Sequence, residues 1–136
     1  MSKKSVKMVK QYKNSLFSIS IKETGVLRFE AIKEMDYDKT EVQYILDNIN
    51  YISAGKKYLV LVIANEGRNI TYEGLKLLGQ SQAFSYSIAK AYVIKTLYQR
   101  LMANFYVRIF KPKIPVKFFI KELDAEVWLL RKFLVT

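Results

Sequence analysis

The sequence predicts an α/β domain: a mixed, mostly parallel five-stranded sheet flanked by helices, in the order β-β-α-β-α-β-α-β-α. Three observations carry this. Apolar segments of strand length alternate with segments of helical periodicity, the pattern of a largely parallel sheet reached by right-handed crossovers. One segment, Tyr58-Leu59-Val60-Leu61-Val62-Ile63-Ala64, is nearly continuously apolar and rich in branched residues, as a strand covered on both faces must be. The boundaries between segments also carry recognisable punctuation, from an Asp-x-x-Glu capping pattern to a Pro-bracketed loop.

Leu16-Phe17-Ser18-Ile19-Ser20-Ile21 alternates apolar and polar, Thr24-Gly25 interrupts, and Val26-Leu27-Arg28-Phe29-Glu30-Ala31 resumes, which predicts a hairpin. Asp38 and Glu41 form the capping pattern that opens a helix. Val42, Ile45, Leu46, Ile49 and Ile52 continue it at helical spacing to about Ser53, and Gly55 stops it. After the central strand at 58–64, a loop of Asn65 to Asn69 leads into a helix from about Thr71 to Leu78, followed by a poorly periodic stretch through Ser87. Ala91 to Thr96 reads as the next strand. Leu97, Leu101, Phe105 and Ile109 recur every four residues, predicting a helix that turns this stripe, with Met102, toward the core. Lys111-Pro112-Lys113-Ile114-Pro115 must be a loop, since prolines neither continue a helix nor feed a central ladder. Val116 to Ile120 is the last strand. The closing helix places Glu122, Asp124 and Glu126 early and Arg131 and Lys132 late, in accord with the helix dipole, with Leu123, Val127, Leu130 and Leu134 as the expected inward stripe.

A chain of 136 residues fits one domain of the common size of about 100 to 150 residues. Residues 14–136 are assigned to it. Residues 1–13 carry five lysines and no acid and are expected to form a basic, flexible tail. No uncharged apolar run is long enough for a membrane span. The N-terminus has no apolar signal core and the chain has no cysteine, so a cytoplasmic address is expected.

The absent residue types close off chemistry. Without His or Cys, a Ser-His-Asp triad, a Cys-His pair, a thiol redox centre and His/Cys zinc sites are excluded. Neither of the common glycine-rich phosphate cradles occurs. No catalytic residue, metal ligand or cofactor is assigned, and the chain is expected not to be an enzyme.

The charge is the unusual feature. The net charge is +11, and from Gly74 to Lys121 there are nine basic residues, Lys90 among them, and no acid. On the helix that begins near Leu97, Arg100, Asn104 and Arg108 share a face, and Lys111 and Lys113 follow in the loop. Such a stripe attracts phosphate, anionic lipid or an acidic protein. Phe105-Tyr106-Val107-Arg108 superficially matches an RNA-recognition signature, but the glycine is missing and Ile109 stands at the last aromatic position.

Ala103-Asn104-Phe105-Tyr106, Lys111 through Phe119, Ala125 and Trp128-Leu129 resemble the C-terminal half of the small bacterial STAS-like proteins, relatives of the sporulation anti-sigma-factor antagonists. The resemblance implies a mixed sheet whose first strand is antiparallel to the rest, and a regulatory module that binds a protein partner. The antagonists carry a phosphorylatable serine in an Asp-Ser-Ser-Gly-Leu turn. The equivalent stretch here is Thr71-Tyr72-Glu73-Gly74-Leu75, which keeps Gly and Leu but lacks the serine. The resemblance therefore places partner binding at Asn69, Thr71, Tyr72, Glu73, Gly74 and Leu75 without a serine switch. The alternatives are an anionic lipid or nucleic-acid binder using Arg100, Asn104, Arg108, Lys111 and Lys113, and a carrier of a small apolar ligand lined by Tyr86, Tyr92, Phe105 and Tyr106. A homodimer is compatible with any of these.

Overall fold

A computed structural model describes residues 8–80 and 87–133, with only the backbone described at Met8 and Val9. The strands are β1 (Met8–Lys13), β2 (Phe17–Lys22), β3 (Val26–Ala31), β4 (Met35–Tyr37), β5 (Tyr58–Ala64), β6 (Arg68–Ile70), β7 (Ser87–Ile94) and β8 (Val116–Phe119). The helices are α1 (Lys39–Ser53), α2 (Tyr72–Gln80), α3 (Leu97–Phe110) and α4 (Glu122–Phe133). The main sheet has six strands, not five, in the order β1-β2-β3-β5-β7-β8, and β4 and β6 form a separate two-stranded sheet. β2 is antiparallel to β1 and β3, whereas β3, β5, β7 and β8 are mutually parallel.

The sixth strand comes from the segment expected to be a flexible tail. β1 pairs with β2 from Lys13↔Ser18 to Met8↔Lys22 and so caps backbone groups that β2 would otherwise present as an open edge. Tyr12 packs on Phe17, and the Lys10 ammonium donates to the Ile52 carbonyl at 3.2 Å. Exposed Lys10 and Lys13 then blunt the new edge. The rest of the expected tail, residues 1–7, lies outside the described residues.

Alternation along the strands divides the core into two layers. Phe17, Ile19, Ile21, Leu27, Phe29 and Val60 face α1, where Val42, Ile45, Leu46 and Ile49 cover them. Val26, Leu59, Leu61, Ile63, Ala89, Ala91 and Val93 face the opposite side, against Ala125 and Leu129 of α4. The expected stripe on α4 is therefore displaced: Leu123 is 70% exposed and Val127 is also exposed, while Leu130 packs half-buried beside Trp128 and Phe133. Alanine at 125 lets the helix settle on the Ala89-Ala91 strip, and the larger leucines flank that contact. Leu134 lies outside the described residues.

Polar groups tie α4 to the strands beside its apolar seat. The Arg28 guanidinium forms a two-pronged pair with Glu122, at 2.7 and 3.0 Å, and reaches Glu30 at 3.0 Å; Lys22 pairs with Glu126 at 3.2 Å. The hydrogen bonds from Arg28 hold the Glu122 carboxyl below its ordinary range.

The predicted capping box is present on α1, with the Asp38 backbone N–H donating to Glu41 at 2.9 Å. At the other end Ala54 takes the left-handed conformation ahead of Gly55. A second capping box opens α3, formed by Thr96 and Gln99. The expected loop after β5 contains β6, which pairs in parallel from Met35↔Arg68 to Tyr37↔Ile70 and brings the start of α2 against the start of α1.

Gly74 makes that approach feasible. A Cβ there would lie 2.9 Å from the Tyr37 carbonyl and 3.1 Å from side-chain carbons of Ile70 and Val42. Gly74→Ala should destabilise the protein by about 1–3 kcal/mol in denaturant titrations, because backbone is the closest obstacle. Glu122→Gln should cost on the order of 1 kcal/mol near neutral pH, since the pair is partly open to water. Glu122 contributes above its unfolded pKa of about 4.3 and loses that contribution as pH falls through its lower folded value. The wild-type advantage over Glu122→Gln should accordingly vanish in strong acid.

Candidate functional site

Of the turn assigned to partner binding, only Tyr72 and Glu73 are exposed. Gly74 and Leu75 are buried under α1. Thr71 serves as a helix cap: its hydroxyl donates to Asp38 at 2.7 Å and accepts the Gly74 N–H at 3.0 Å. That bond holds the Asp38 carboxyl below its usual range. Asn69 is half-buried within β6. The turn is thus a structural joint between α1 and α2 that presents one aromatic and one acid outward.

That aromatic extends onto α3. Tyr72 packs against Phe105, with ring centroids 5.8 Å apart. The expected inward stripe of α3 points largely the other way: Leu97 is 66%, Leu101 57% and Ile109 51% exposed, and Phe105 is half-buried. The buried side is instead Gln99, Ala103 and Tyr106, flanked by Met102 and Phe110. Gln99 explains the choice. Its amide donates to the carbonyls of Asn65 and Arg68, both at 2.9 Å, and its oxygen accepts from the backbone of Lys95 and Thr96 at 2.6 and 3.1 Å. A glutamine so used must face inward, which rotates the helix.

The anion-binding candidates Arg100, Asn104, Arg108, Lys111 and Lys113 are all exposed. Arg100, Asn104 and Arg108 therefore share the outer side of α3 with Leu97 and Leu101. Lys111 ends the helix as a left-handed C-cap with φ 44°. The arrangement is a surface of exposed aliphatic and aromatic groups interleaved with guanidinium groups, and α3 itself contains no acid.

Beneath α3 lies a cavity of about 180 Å³, bounded by the sheet and by α1, α2 and α3. Val60, Val62, Ile45, Leu46, Met102 and Phe118 give it apolar walls, and half-exposed Tyr98 stands at its rim. Tyr92 and Tyr106 also line it, as the apolar-carrier alternative expected, whereas Phe105 does not, and Tyr86 lies outside the described residues. The Tyr106 phenol is pushed up by burial, partly offset by hydrogen bonding with Tyr92.

Lys90 also lines this cavity and is buried, only 2% exposed. It was expected among the surface charges. It sits inside β7, between Val60 of β5 and Val116 of β8, with its ammonium 5.7 Å from the centre of the Tyr92 ring. Desolvation pushes its pKa down to about 7. The signal in the sequence is a lone lysine inside Ile88-Ala89-Lys90-Ala91-Tyr92-Val93-Ile94. It becomes legible once the strand is known to begin at Ser87 rather than Ala91.

Among the described residues, no group of acids is placed to hold a metal ion, and no helix is long and apolar enough to cross a membrane. What the geometry defines is an α/β domain built on a six-stranded sheet, with an amphipathic cationic surface on the outer side of α3 and a cavity beneath that helix. The chain belongs to the family described as Domain of unknown function (DUF7793), whose model matches residues 19–132. No curated protein and no solved structure matches it.

Lys90 makes stability depend on pH. Between about 7 and the ordinary lysine value of about 10.4, the unfolded chain holds a proton that the folded chain releases, so stability should climb as pH rises through that window. Lys90→Met should be more stable than wild type near neutral pH by a few kcal/mol. Urea titrations across the window should show a rising curve for wild type and a flat one for the variant.

Proposed function

We propose that this chain is a non-catalytic, cytoplasmic, STAS-like regulatory module that binds an acidic, amphipathic segment of a protein partner. The binding surface is the outer side of α3 together with Tyr72. The observation that carries the reading is the exposure of Leu97, Leu101 and Ile109 on the helix that also presents Arg100 and Arg108. Aliphatic groups left in water favour a partner that removes them from it, and flanking guanidinium groups select one bearing carboxylates. The mixed sheet with β2 antiparallel to its neighbours supports the STAS-like part of the reading. The position of Tyr72 at the edge of this surface supports a role for the turn inherited from that resemblance.

A photo-crosslinking residue placed at Leu101 in the full chain should capture one protein from native cytosol, whereas the same residue at exposed Tyr51 on α1 should not. Arg100→Glu with Arg108→Glu should reduce capture at least about tenfold, and capture should persist at moderate salt because apolar contacts contribute. Equal capture from both positions, or capture unaffected by the double charge reversal, would overturn the proposal. So would binding only to anionic vesicles or nucleic acid that disappears as salt rises.

A further inference from the structure

The cavity and its lysine lie on the inner side of α3, away from its exposed outer side. Its walls come from both sides of the helix–sheet interface: Val60 and Val62 from the sheet, Leu46 from α1, and Met102 from α3. The charged and titratable groups that line it are Lys90 and Tyr92 from β7, Tyr106 and Tyr98 from α3, Arg68 from β6, and Tyr37 from β4. Arg68 donates to the Ile32 and Glu66 carbonyls, and the Tyr37 hydroxyl lies 2.7 Å from the Lys33 carbonyl. No Asp or Glu is among the lining residues. The pocket is therefore apolar in its walls and cationic in its charge.

The structure assigns this cavity, we infer, as a binding site for a small apolar carboxylate, an aromatic or branched-chain acid. The hydrocarbon body lies between the sheet and α3, and the carboxylate meets the Lys90 ammonium. The size fits a substituted benzene ring, since an engineered cavity of about 150 Å³ holds benzene. One buried cation matches one negative charge, whereas a phosphate would bring a second charge and a larger hydration shell into apolar walls. The ligand's charge stabilises the ammonium in a medium of low dielectric, and its body fills volume that otherwise lacks contacts. Because the amine is partly neutral near pH 7, binding takes up a proton. The Tyr92 ring lies against the amine, and Tyr92 and Tyr106 both line the cavity, so their hydroxyl groups are candidates for the second carboxylate oxygen.

The test is a methyl-NMR titration of the full chain with benzoate, phenylacetate and 3-methylbutanoate, each against its uncharged amide. At least one acid is expected to shift the methyl signals of Val60, Val62 and Met102, leave those of Leu97 and Leu101 unmoved, and bind at least about tenfold tighter than its amide. Lys90→Met should abolish the preference for the acid while still admitting the amide. Calorimetry of wild type in buffers of different ionisation enthalpy should show net proton uptake, which tests the ion pair without any substitution. The inference is overturned if no acid in the panel binds saturably, or if acid and amide bind equally. It also fails if shifts map to Leu97 and Leu101, if Lys90→Met keeps the preference, or if binding moves no proton. Since the two regions carry separate methyl probes, failure here leaves the α3 surface proposal standing, and the reverse holds equally.

Discussion

β7 must be buried on both faces, and the structure of this protein follows from how its two faces differ. On one side Ala89, Ala91 and Val93 form a shallow strip on which α4 seats Ala125 and Leu129. Small residues are required there because the helix and sheet backbones approach closely. On the other side Lys90, Tyr92 and Ile94 project into the layer occupied by α1, α2 and α3, and the space among them stays partly open as the cavity. One strand thus supplies a close-packed face and a face that borders the cavity. A lysine in that position costs free energy in proportion to its desolvation, and the tight face opposite helps to hold the strand in place around it.

α3 joins the cavity to the outer cationic surface. Its inner side contributes Met102 and Tyr106 to the cavity, and its outer side carries Leu101 and Arg108. The rotation of the helix between these roles is set by Gln99, whose hydrogen bonds reach the backbone of the β5–β6 connection and of its own N-terminus. Beside it, the cap at Thr71 and the close approach at Gly74 fix α2 against α1. Tyr72 is thereby placed on Phe105. These polar joints link segments 31 to 34 residues apart in the chain, which is what allows a surface of exposed aliphatic groups to be held in one shape.

The order of the four helices and of five of the six main-sheet strands, the capping box at Asp38, the stop near Gly55 and the strand at Tyr58–Ala64 were readable from local pattern, whereas β4 and β6 were not. Each of the readable features depends on a few neighbouring residues and a fixed period. β1 was not readable, because lysines at alternate positions resemble a solvated tail and become a strand only when β2 offers an edge. The inward sides of α3 and α4 likewise depart from the stripes of large apolar residues. In both helices the larger leucines suggested one stripe, while a small alanine at the point of closest approach, and in α3 a hydrogen-bonding glutamine, selected another. For the candidate sites, the basic residues of α3 were legible as a surface. Lys90 was not, because a lysine's burial depends on strands far away in the chain.

By itself, then, the sequence determined the fold class, most element boundaries, the acid-free basic segment and the absence of His and Cys chemistry. These are properties of composition and local period. The tertiary structure alone decided which face of each helix is buried, that the N-terminal segment joins the sheet, and that one of nine basic residues between Gly74 and Lys121 lies inside. The physical reason is that orientation and burial are set by contacts between segments distant in the chain, where backbone approach distance and the need to satisfy polar groups outweigh the hydrophobicity of any single stripe.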